Sequence, residues 1–128
     1  SILNTPPTMS IFVLNLVTNW MLEMGGIDYF QNKAHEQSTE IYDFIDSNTN
    51  VLNCKVDNKY RSKSNIVFNF LNDEHNKEFV NLAAKKGIIG INGHRSVGGI
   101  RVSLFNSIDD HMFDYFMKYF QNYVRGIK

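Results

Sequence analysis

The side chains best suited to binding an anion lie in one segment, residues 93–101, with the sequence GHRSVGGIR. Arg95 and Arg101 each carry a planar guanidinium that can hold a carboxylate or phosphate through two parallel hydrogen bonds. His94 adds a donor, or a positive charge when it is protonated. The double glycine between the arginines allows a sharp turn and a close approach of backbone N–H groups to a ligand. The pattern predicts a clamp on one small, doubly anionic molecule, although it also suits a surface turn with solvated arginines.

A second candidate for an anion contact is the segment Asn4-Thr5-Pro6-Pro7-Thr8, which precedes a predicted helix. Its proline pair suits a helix start, and a role as a capping and start signal would explain the segment without any ligand. The functional interpretation is that the Asn4 amide and the Thr5 hydroxyl contact a phosphate at the positive end of the helix dipole.

Other common chemistries have no matching pattern in the sequence. We find no phosphate-binding P-loop, no dinucleotide fingerprint and no nucleophile elbow. No histidine has a partner at metal-ligand spacing, so no metal site is predicted and three histidines are expected to be solvated: His35, His75 and His111. No lysine in the chain is expected to be a nucleophile. The single cysteine, Cys54, is expected to be structural or a surface thiol.

Composition narrows the class of protein. The chain has 128 residues, 43% of them hydrophobic, which suits one domain with a leading arm. Thirteen basic residues balance thirteen acidic ones, so nucleic acid is not an expected partner. The start lacks the features of a secretory signal, and the apolar segment 11–24 is too short to cross about 30 Å of hydrocarbon. We therefore expect a cytoplasmic protein with no membrane contact.

The elements that must position these residues begin with two predicted helices. Thr5 or Thr8 is expected to cap the first helix, which ends at Gly25-Gly26. Apolar residues nearly encircle this helix, so we expect it to meet another domain or subunit, or else to form the centre of this domain's own core. Residues 27–45 show the spacing of an ordinary amphipathic helix.

The remaining chain predicts strands that alternate with helices. Residues 51–60 are expected to form a loop or a short edge strand. Residues 65–71 predict a strand with Ile66, Phe68 and Phe70 on one face, and Asn72 or Asp73 begins a helix that ends near Gly87. Strands are predicted at residues 88–91 and 100–105, on either side of the glycine-rich loop. The second of these has Arg101, Ser103 and Phe105 on one face.

Ser107 and Asp110 predict a capping box for a last amphipathic helix. The order of elements then indicates an α+β two-layer domain with a short, mostly antiparallel sheet and helices on one side.

The sequence resembles the phosphoserine aminotransferase family nearly from end to end. The motifs that carry the resemblance occur in the family's order and spacing: residues 4–8 and 25–26, Arg61-Ser62 with Asn65 and Phe68, and residues 93–101. Departures such as Met9, Ser64, Val102, Phe105 and Ser107 remove no charged ligand.

The resemblance implies a fold-type I pyridoxal-phosphate enzyme, present as a cytoplasmic homodimer. It implies that residues 1–26 are a connecting arm and helix from the large domain of the same protein, and that residues 27–128 are its C-terminal small domain. Such an enzyme moves the amino group of L-glutamate to 3-phosphohydroxypyruvate in serine biosynthesis, and gives L-phosphoserine and 2-oxoglutarate. It implies that Arg101 binds the substrate α-carboxylate and that His94 and Arg95 help to hold the substrate phosphate. It also implies that Asn4 and Thr5 contact the cofactor phosphate of the neighbouring subunit.

The resemblance covers only about the last third of the family's polypeptide. The lysine that carries the cofactor lies upstream in the family, so no residue of this chain is expected to be catalytic. We expect the chain alone to be inactive and to bind no pyridoxal phosphate. An alternative hypothesis is a stand-alone module that binds a phosphorylated or dicarboxylic metabolite without reacting with it.

Overall fold

The computed structural model describes residues 4–127. In chain order these residues form α1 (Thr8–Glu23), α2 (Gly26–Asp46), β1 (Leu52–Asn53), a 3-10 turn (Asn58–Tyr60), β2 (Asn65–Phe70), α3 (Asp73–Lys85), β3 (Asn92–His94), β4 (Gly98–Ser103) and α4 (Asp110–Gly126). The chain divides within α2 into two compact units, one ending at Lys33 and one beginning at Ala34. The predicted domain division after residue 26 stays a prediction.

In the first unit, α1 exposes its apolar side chains, and none of its residues is buried. Phe12 is 57% exposed and Leu14 62% exposed, so the expectation that this helix forms the centre of the domain's own core is wrong for this chain. The predicted caps are also wrong, because the N-cap residue is Pro7 and no side chain caps the helix. Thr8 already lies inside the first turn, where its backbone N–H donates to the Pro6 carbonyl at 2.8 Å.

The second unit is built on a four-stranded sheet in the order β1-β2-β4-β3, with every neighbouring pair antiparallel. Alternation along β2 buries Ile66, Phe68 and Phe70 on one face, as predicted. Strand β4 alternates in the same way and buries Ile100 and Val102. The edge strand expected within residues 51–60 is β1, which pairs with β2.

Aromatic side chains join the buried face of the sheet to the helices. The ring of Phe68 stacks on Phe120 of α4 at 4.8 Å between centroids, and Phe70 lies 5.3 Å from Phe79 of α3. Ile41 and Ile45 of α2 are buried in the same core cluster. The structure is therefore the predicted α+β arrangement of an antiparallel sheet with helices on its buried face.

Helices α3 and α4 begin at side-chain caps. The Asn72 side chain accepts a hydrogen bond from the Glu74 backbone N–H at the start of α3, as expected for this position. The predicted cap of α4 by Ser107 is wrong: Asp109 accepts from the Met112 N–H at 2.7 Å. Asp109 stands immediately before the first helical residue, where a short carboxylate reaches the open N–H groups of the first turn.

The strand predicted at residues 88–91 is also wrong. Gly90 has a φ of +79°, which interrupts an extended backbone, and the Ile88 N–H bonds back to the Ala83 carbonyl at the end of α3. The strand that pairs with β4 instead begins at Asn92, inside the predicted loop.

Among residues 4–127, no single helix is long and apolar enough to cross a membrane. Helices α1 and α2 pass that test only when they are taken together as a bent pair, by length and composition alone.

Candidate functional site

The predicted anion-binding segment forms a β-hairpin. Strands β3 and β4 are joined by the turn Arg95-Ser96-Val97, which the Val97 N–H closes by donating to the His94 carbonyl at 3.0 Å. Gly98 follows the turn with a φ of +73°, a left-handed conformation that glycine adopts without strain. Arg95 therefore lies in the turn itself, exposed to solvent.

A close backbone contact fixes the shape of this hairpin. A Cβ atom on Gly93 would lie 1.9 Å from the Gly98 carbonyl oxygen and 2.8 Å from that of Gly99. These positions are backbone atoms of the opposite strand, which cannot rotate away as a side chain could. The sequence therefore needs glycine at position 93 as well as at the double glycine.

The imidazole of His94 is oriented by its own turn. Its Nδ1 accepts a hydrogen bond from the Ser96 backbone N–H at 3.3 Å and lies 2.7 Å from the Ser96 hydroxyl. Because a backbone N–H can only donate, Nδ1 acts as an acceptor, and the proton of the neutral ring is on Nε2. His94 therefore has an N–H directed away from the turn and available to an acceptor.

His94 and Arg95 line a groove of about 670 Å³, called here the hairpin groove. Its other polar side chains come from the end of β2, from α3 and from β3: Asn69, Asp73, Asn76, Lys77 and Asn92. Asn76 is almost fully buried, where its amide accepts from the Phe70 N–H and donates to Asp73. The remaining lining includes two cationic side chains, Arg95 and Lys77, against the one carboxylate of Asp73, so the groove favours an anion.

Arg101 lines a different cavity of about 660 Å³, called here the Arg101 cavity. Most of its lining is apolar and comes from residues 88–91, the end of β4 and the start of α4, including Ile89, Phe105 and Met112. The Nε atom of Arg101 is buried and has no hydrogen-bond partner within residues 4–127. A buried guanidinium N–H without a partner destabilises the folded protein until an acceptor reaches it.

The two arginines are not brought to one cleft by this chain. The hairpin groove and the Arg101 cavity share no lining residue. The double glycine does not reverse the chain, because β4 runs on from Gly98 and Arg101 pairs with Val67 in the middle of the sheet. Three residues of strand separate Gly98 from Arg101 by about 10 Å. The expected clamp of both arginines on one molecule is therefore not formed within either cavity.

The other predicted phosphate contact lies in the first unit. Asn4 and Thr5 are exposed and precede α1, and their side chains make no hydrogen bond to any described residue. Their amide and hydroxyl are available donors, but their predicted role stays a prediction.

Two side-chain clusters were not predicted from the sequence. His75, expected to be solvated, is half-buried, and its Nδ1 lies 3.0 Å from the Tyr123 hydroxyl and 3.2 Å from Glu78. The Tyr123 hydroxyl donates to Glu78 at 2.7 Å, and this bond, with that from His75, lowers the pKa of the Glu78 carboxyl. His75 and Glu78 are three residues apart on α3, a spacing that could have suggested their contact.

The second cluster joins the end of α2 to the loop before β2. Arg61 bonds Asp46 through both terminal nitrogens, at 2.6 and 2.8 Å, and its guanidinium carbon lies 4.6 Å from the centre of the Tyr42 ring. The hydrogen bond from Arg61 lowers the pKa of Asp46. Nothing in the spacing of these residues signals the contact.

Within residues 4–127, no group of three or more metal-ligating side chains is found. Cys54 is half-buried, with its Sγ 3.3 Å from the Val67 carbonyl oxygen, which agrees with a structural thiol.

Comparisons with known proteins agree with this architecture. Phosphoserine aminotransferase of Dichelobacter nodosus is 41% identical over 109 residues, which are 85% of this chain and 30% of that protein. The structure of phosphoserine aminotransferase from Bacillus circulans subsp. alkalophilus matches with a TM-score of 0.92 at 34% identity, over 98% of this chain and 35% of that one. That of the Trichomonas vaginalis enzyme with bound PLP matches with a TM-score of 0.83 at 28% identity, over 94% and 34%.

This chain thus spans about 30% of the length of the curated relatives it matches. The sequence profile of the aminotransferase class-V family matches residues 3–116. The chain therefore belongs to the aminotransferase class-V family.

Proposed function

We propose that this chain is the C-terminal part of a phosphoserine aminotransferase. The whole protein would transfer the amino group of L-glutamate to 3-phosphohydroxypyruvate and give L-phosphoserine and 2-oxoglutarate. The observation that carries the proposal is the hairpin groove, where an exposed arginine and a histidine with its Nε2–H directed outward lie beside one another. The relatives of the chain support the same reaction.

His94 and Arg95 bind the phosphate of the substrate in this proposal. A guanidinium can make two parallel bonds to phosphate oxygens, and the neutral imidazole adds one donor. The Ser96 contacts keep the imidazole in the tautomer that donates through Nε2, so the ring needs no reorganisation when the anion arrives.

Arg101 binds the α-carboxylate. Its cavity is mostly apolar, which lowers the local dielectric constant and strengthens an ion pair with a carboxylate. The carboxylate would also supply the acceptor that the buried Nε atom lacks. Fixing this end of the substrate orients the amino-bearing carbon toward the cofactor.

The cofactor in this proposal is pyridoxal phosphate, which acts as an electron sink at the amino-bearing carbon when it is bound. The donors of Asn4 and Thr5 fit the chemistry of its phosphate group, because both side chains are exposed just before a helix start and make no hydrogen bond within residues 4–127. The lysine that carries the cofactor would belong to the large domain of the whole protein.

The separate positions of the two cavities bear on assembly. Residues of the hairpin groove and of the Arg101 cavity can bind the same substrate molecule only if a further protein surface completes one shared site. We infer that the large domain and a second copy of the chain supply this surface, in a cytoplasmic homodimer.

The test is amino transfer from L-glutamate by the full-length protein that contains this chain, with pyridoxal phosphate bound. We expect 3-phosphohydroxypyruvate to be a much better acceptor than 3-hydroxypyruvate, which lacks the phosphate. Equal rates with the two acceptors would argue against the proposal. Phosphoserine binding without any transfer would instead support a module that binds and does not react.

A further inference from the structure

We propose that Asn69 is a third phosphate-binding side chain of the hairpin groove, beside His94 and Arg95. The inference rests on the proposed function, since it assigns a further contact for the same anion.

Asn69 reaches the groove because residue 99 has no side chain. Asn69 lies one residue beyond the Phe68–Ile100 pair of β2 and β4, on the face opposite the helical core. A Cβ atom on Gly99 would lie 2.7–2.8 Å from the three terminal atoms of the Asn69 side chain. The amide therefore occupies the space that any other residue at position 99 would fill.

The amide of Asn69 makes no hydrogen bond to any residue between 4 and 127, although the residue is half-buried. The groove has two other amides: that of Asn92 lies on β3 in an exposed residue, and that of Asn76 is bonded at both its oxygen and its nitrogen. A half-buried amide without a protein partner keeps two N–H donors available to a ligand.

The charges around Asn69 select the class of ligand. Arg95, Lys77 and His94 line the same groove as Asn69, and the only carboxylate in that lining, Asp73, already accepts from Asn76. An anion with several oxygens, such as a phosphate monoester, can accept from the guanidinium, the imidazole and the Asn69 amide together. The Asn69 amide would add hydrogen bonds of defined direction, which select for the position of the anion's oxygens; attraction between charges alone does not.

The experiment measures the affinity of the full-length protein, with its cofactor bound, for inorganic phosphate and separately for O-phospho-L-serine. Asn69→Asp keeps the size and shape of the side chain but replaces the donors with a negative charge. We expect its affinity for both ligands to fall at least about tenfold. Asn69→Ala loses the donors without adding a charge, so it should lower the affinity for both ligands by less than Asn69→Asp does.

Asn65→Asp is the matched control. It introduces the same change on the same strand and sheet face, but Asn65 lines neither cavity and is bonded to Ser103. It should change either affinity by less than about twofold, because its charge is exposed and screened.

A double variant ties the effect to the groove. In an Arg95→Ala background, Asn69→Asp should have a much smaller effect, because two contacts to one anion are coupled. If Asn69→Asp left both affinities unchanged while Arg95→Ala still weakened phosphate binding, the inference about Asn69 would be overturned. The proposed function would remain intact. Weakening of phosphoserine alone would also overturn it. Failure of the unsubstituted protein to bind either ligand would overturn both proposals.

Discussion

The guanidinium of Arg61 and the carboxylate of Asp46 form a two-bond ion pair that ties α2 to the segment before β2. The Arg61 side chain is only 13% exposed, whereas that of Asp46 is 44% exposed. The pair is thus partly screened by solvent, and it stabilises the fold mainly by giving acceptors to the two terminal nitrogens of a buried guanidinium.

We expect Asp46→Asn to lower the free energy of unfolding by about 0.5–1 kcal/mol at pH 7. The pKa of Asp46 is lowered in the folded protein, mainly by its hydrogen bond from Arg61, so its contribution is present above the unfolded value near 3.8. It is lost as the pH falls through the folded value. Urea unfolding at pH 7 and at pH 3 measures this difference. The control is Asp43→Asn, since Asp43 is exposed and its side chain makes no bond within residues 4–127. An equal effect of both substitutions at pH 7 would contradict it.

Gly93→Ala is expected to disrupt the hairpin. The new methyl group would overlap the Gly98 carbonyl oxygen, so β3 must separate from β4. We expect a loss of about 1–3 kcal/mol in the free energy of unfolding, together with weaker phosphate binding. Gly126→Ala is the control, because nothing lies within 4 Å of its added methyl group. If Gly93→Ala unfolded at the same denaturant concentration as Gly126→Ala, the close contact would not constrain the hairpin.

The two arginines are expected to differ in their effects on substrates of the full-length enzyme. Arg101→Ala should lower kcat/KM for both L-glutamate and L-phosphoserine by about tenfold to a hundredfold, because both have an α-carboxylate. Arg95→Ala should lower it for L-phosphoserine and largely spare L-glutamate, which lacks a phosphate. Arg125→Ala, outside both cavities, controls for the loss of a charge. Equal losses for the two substrates in Arg95→Ala would contradict the assigned roles.

Periodicity predicted the elements of the fold where burial and sequence pattern coincide. Ile66, Phe68 and Phe70 alternate along β2 because one face of the sheet packs on helices, and this alternation is visible in the sequence. The caps were harder to predict, because Ser107 and Asp109 are both acceptable N-cap residues and only the position of the first helical residue selects between them.

The site was only partly predictable for a similar reason. The types of His94, Arg95 and Arg101 indicate anion binding, and the structure places all three in the lining of cavities. The separation of Arg101 from His94 and Arg95 depends on the direction of the backbone after Gly98. Glycine allows several directions, so the sequence alone does not fix it. Asn69 carries no motif, and its place in the groove follows from strand register and from the absent side chain at Gly99.

The apolar surface of α1 predicts association of the isolated 128-residue chain. Large apolar side chains are exposed around this helix, among them Ile11, Phe12, Leu14 and Leu16, and contiguous surface of this kind favours burial against a partner. Gel filtration should show species larger than a monomer, and an apolar dye should bind. Replacing these four residues with serine or glutamine should reduce both signals. A dye-free monomer without substitutions would contradict the prediction.

Two tyrosines on α4 predict how stability changes in alkali. Burial raises the pKa of Tyr119 to about 12, and burial, followed by the bond to Glu78, raises that of Tyr123. A tyrosine whose pKa is raised in the folded state contributes fully below the unfolded value of 10. This contribution is lost as the pH rises through the folded value, because the unfolded chain releases the proton first.

The free energy of unfolding should therefore fall between pH 10 and pH 12, and the fall should be shallower in Tyr119→Phe. Tyr123→Phe should also make the fall shallower, and it should lower the free energy of unfolding at pH 7, because the bonds to Glu78 and His75 disappear. Tyr115→Phe controls for removing a hydroxyl from the same helix, since Tyr115 donates to the Lys86 carbonyl. Urea unfolding across this pH range measures each slope. A Tyr119→Phe protein that loses stability as steeply as the unsubstituted one would show that its hydroxyl is not the group that titrates.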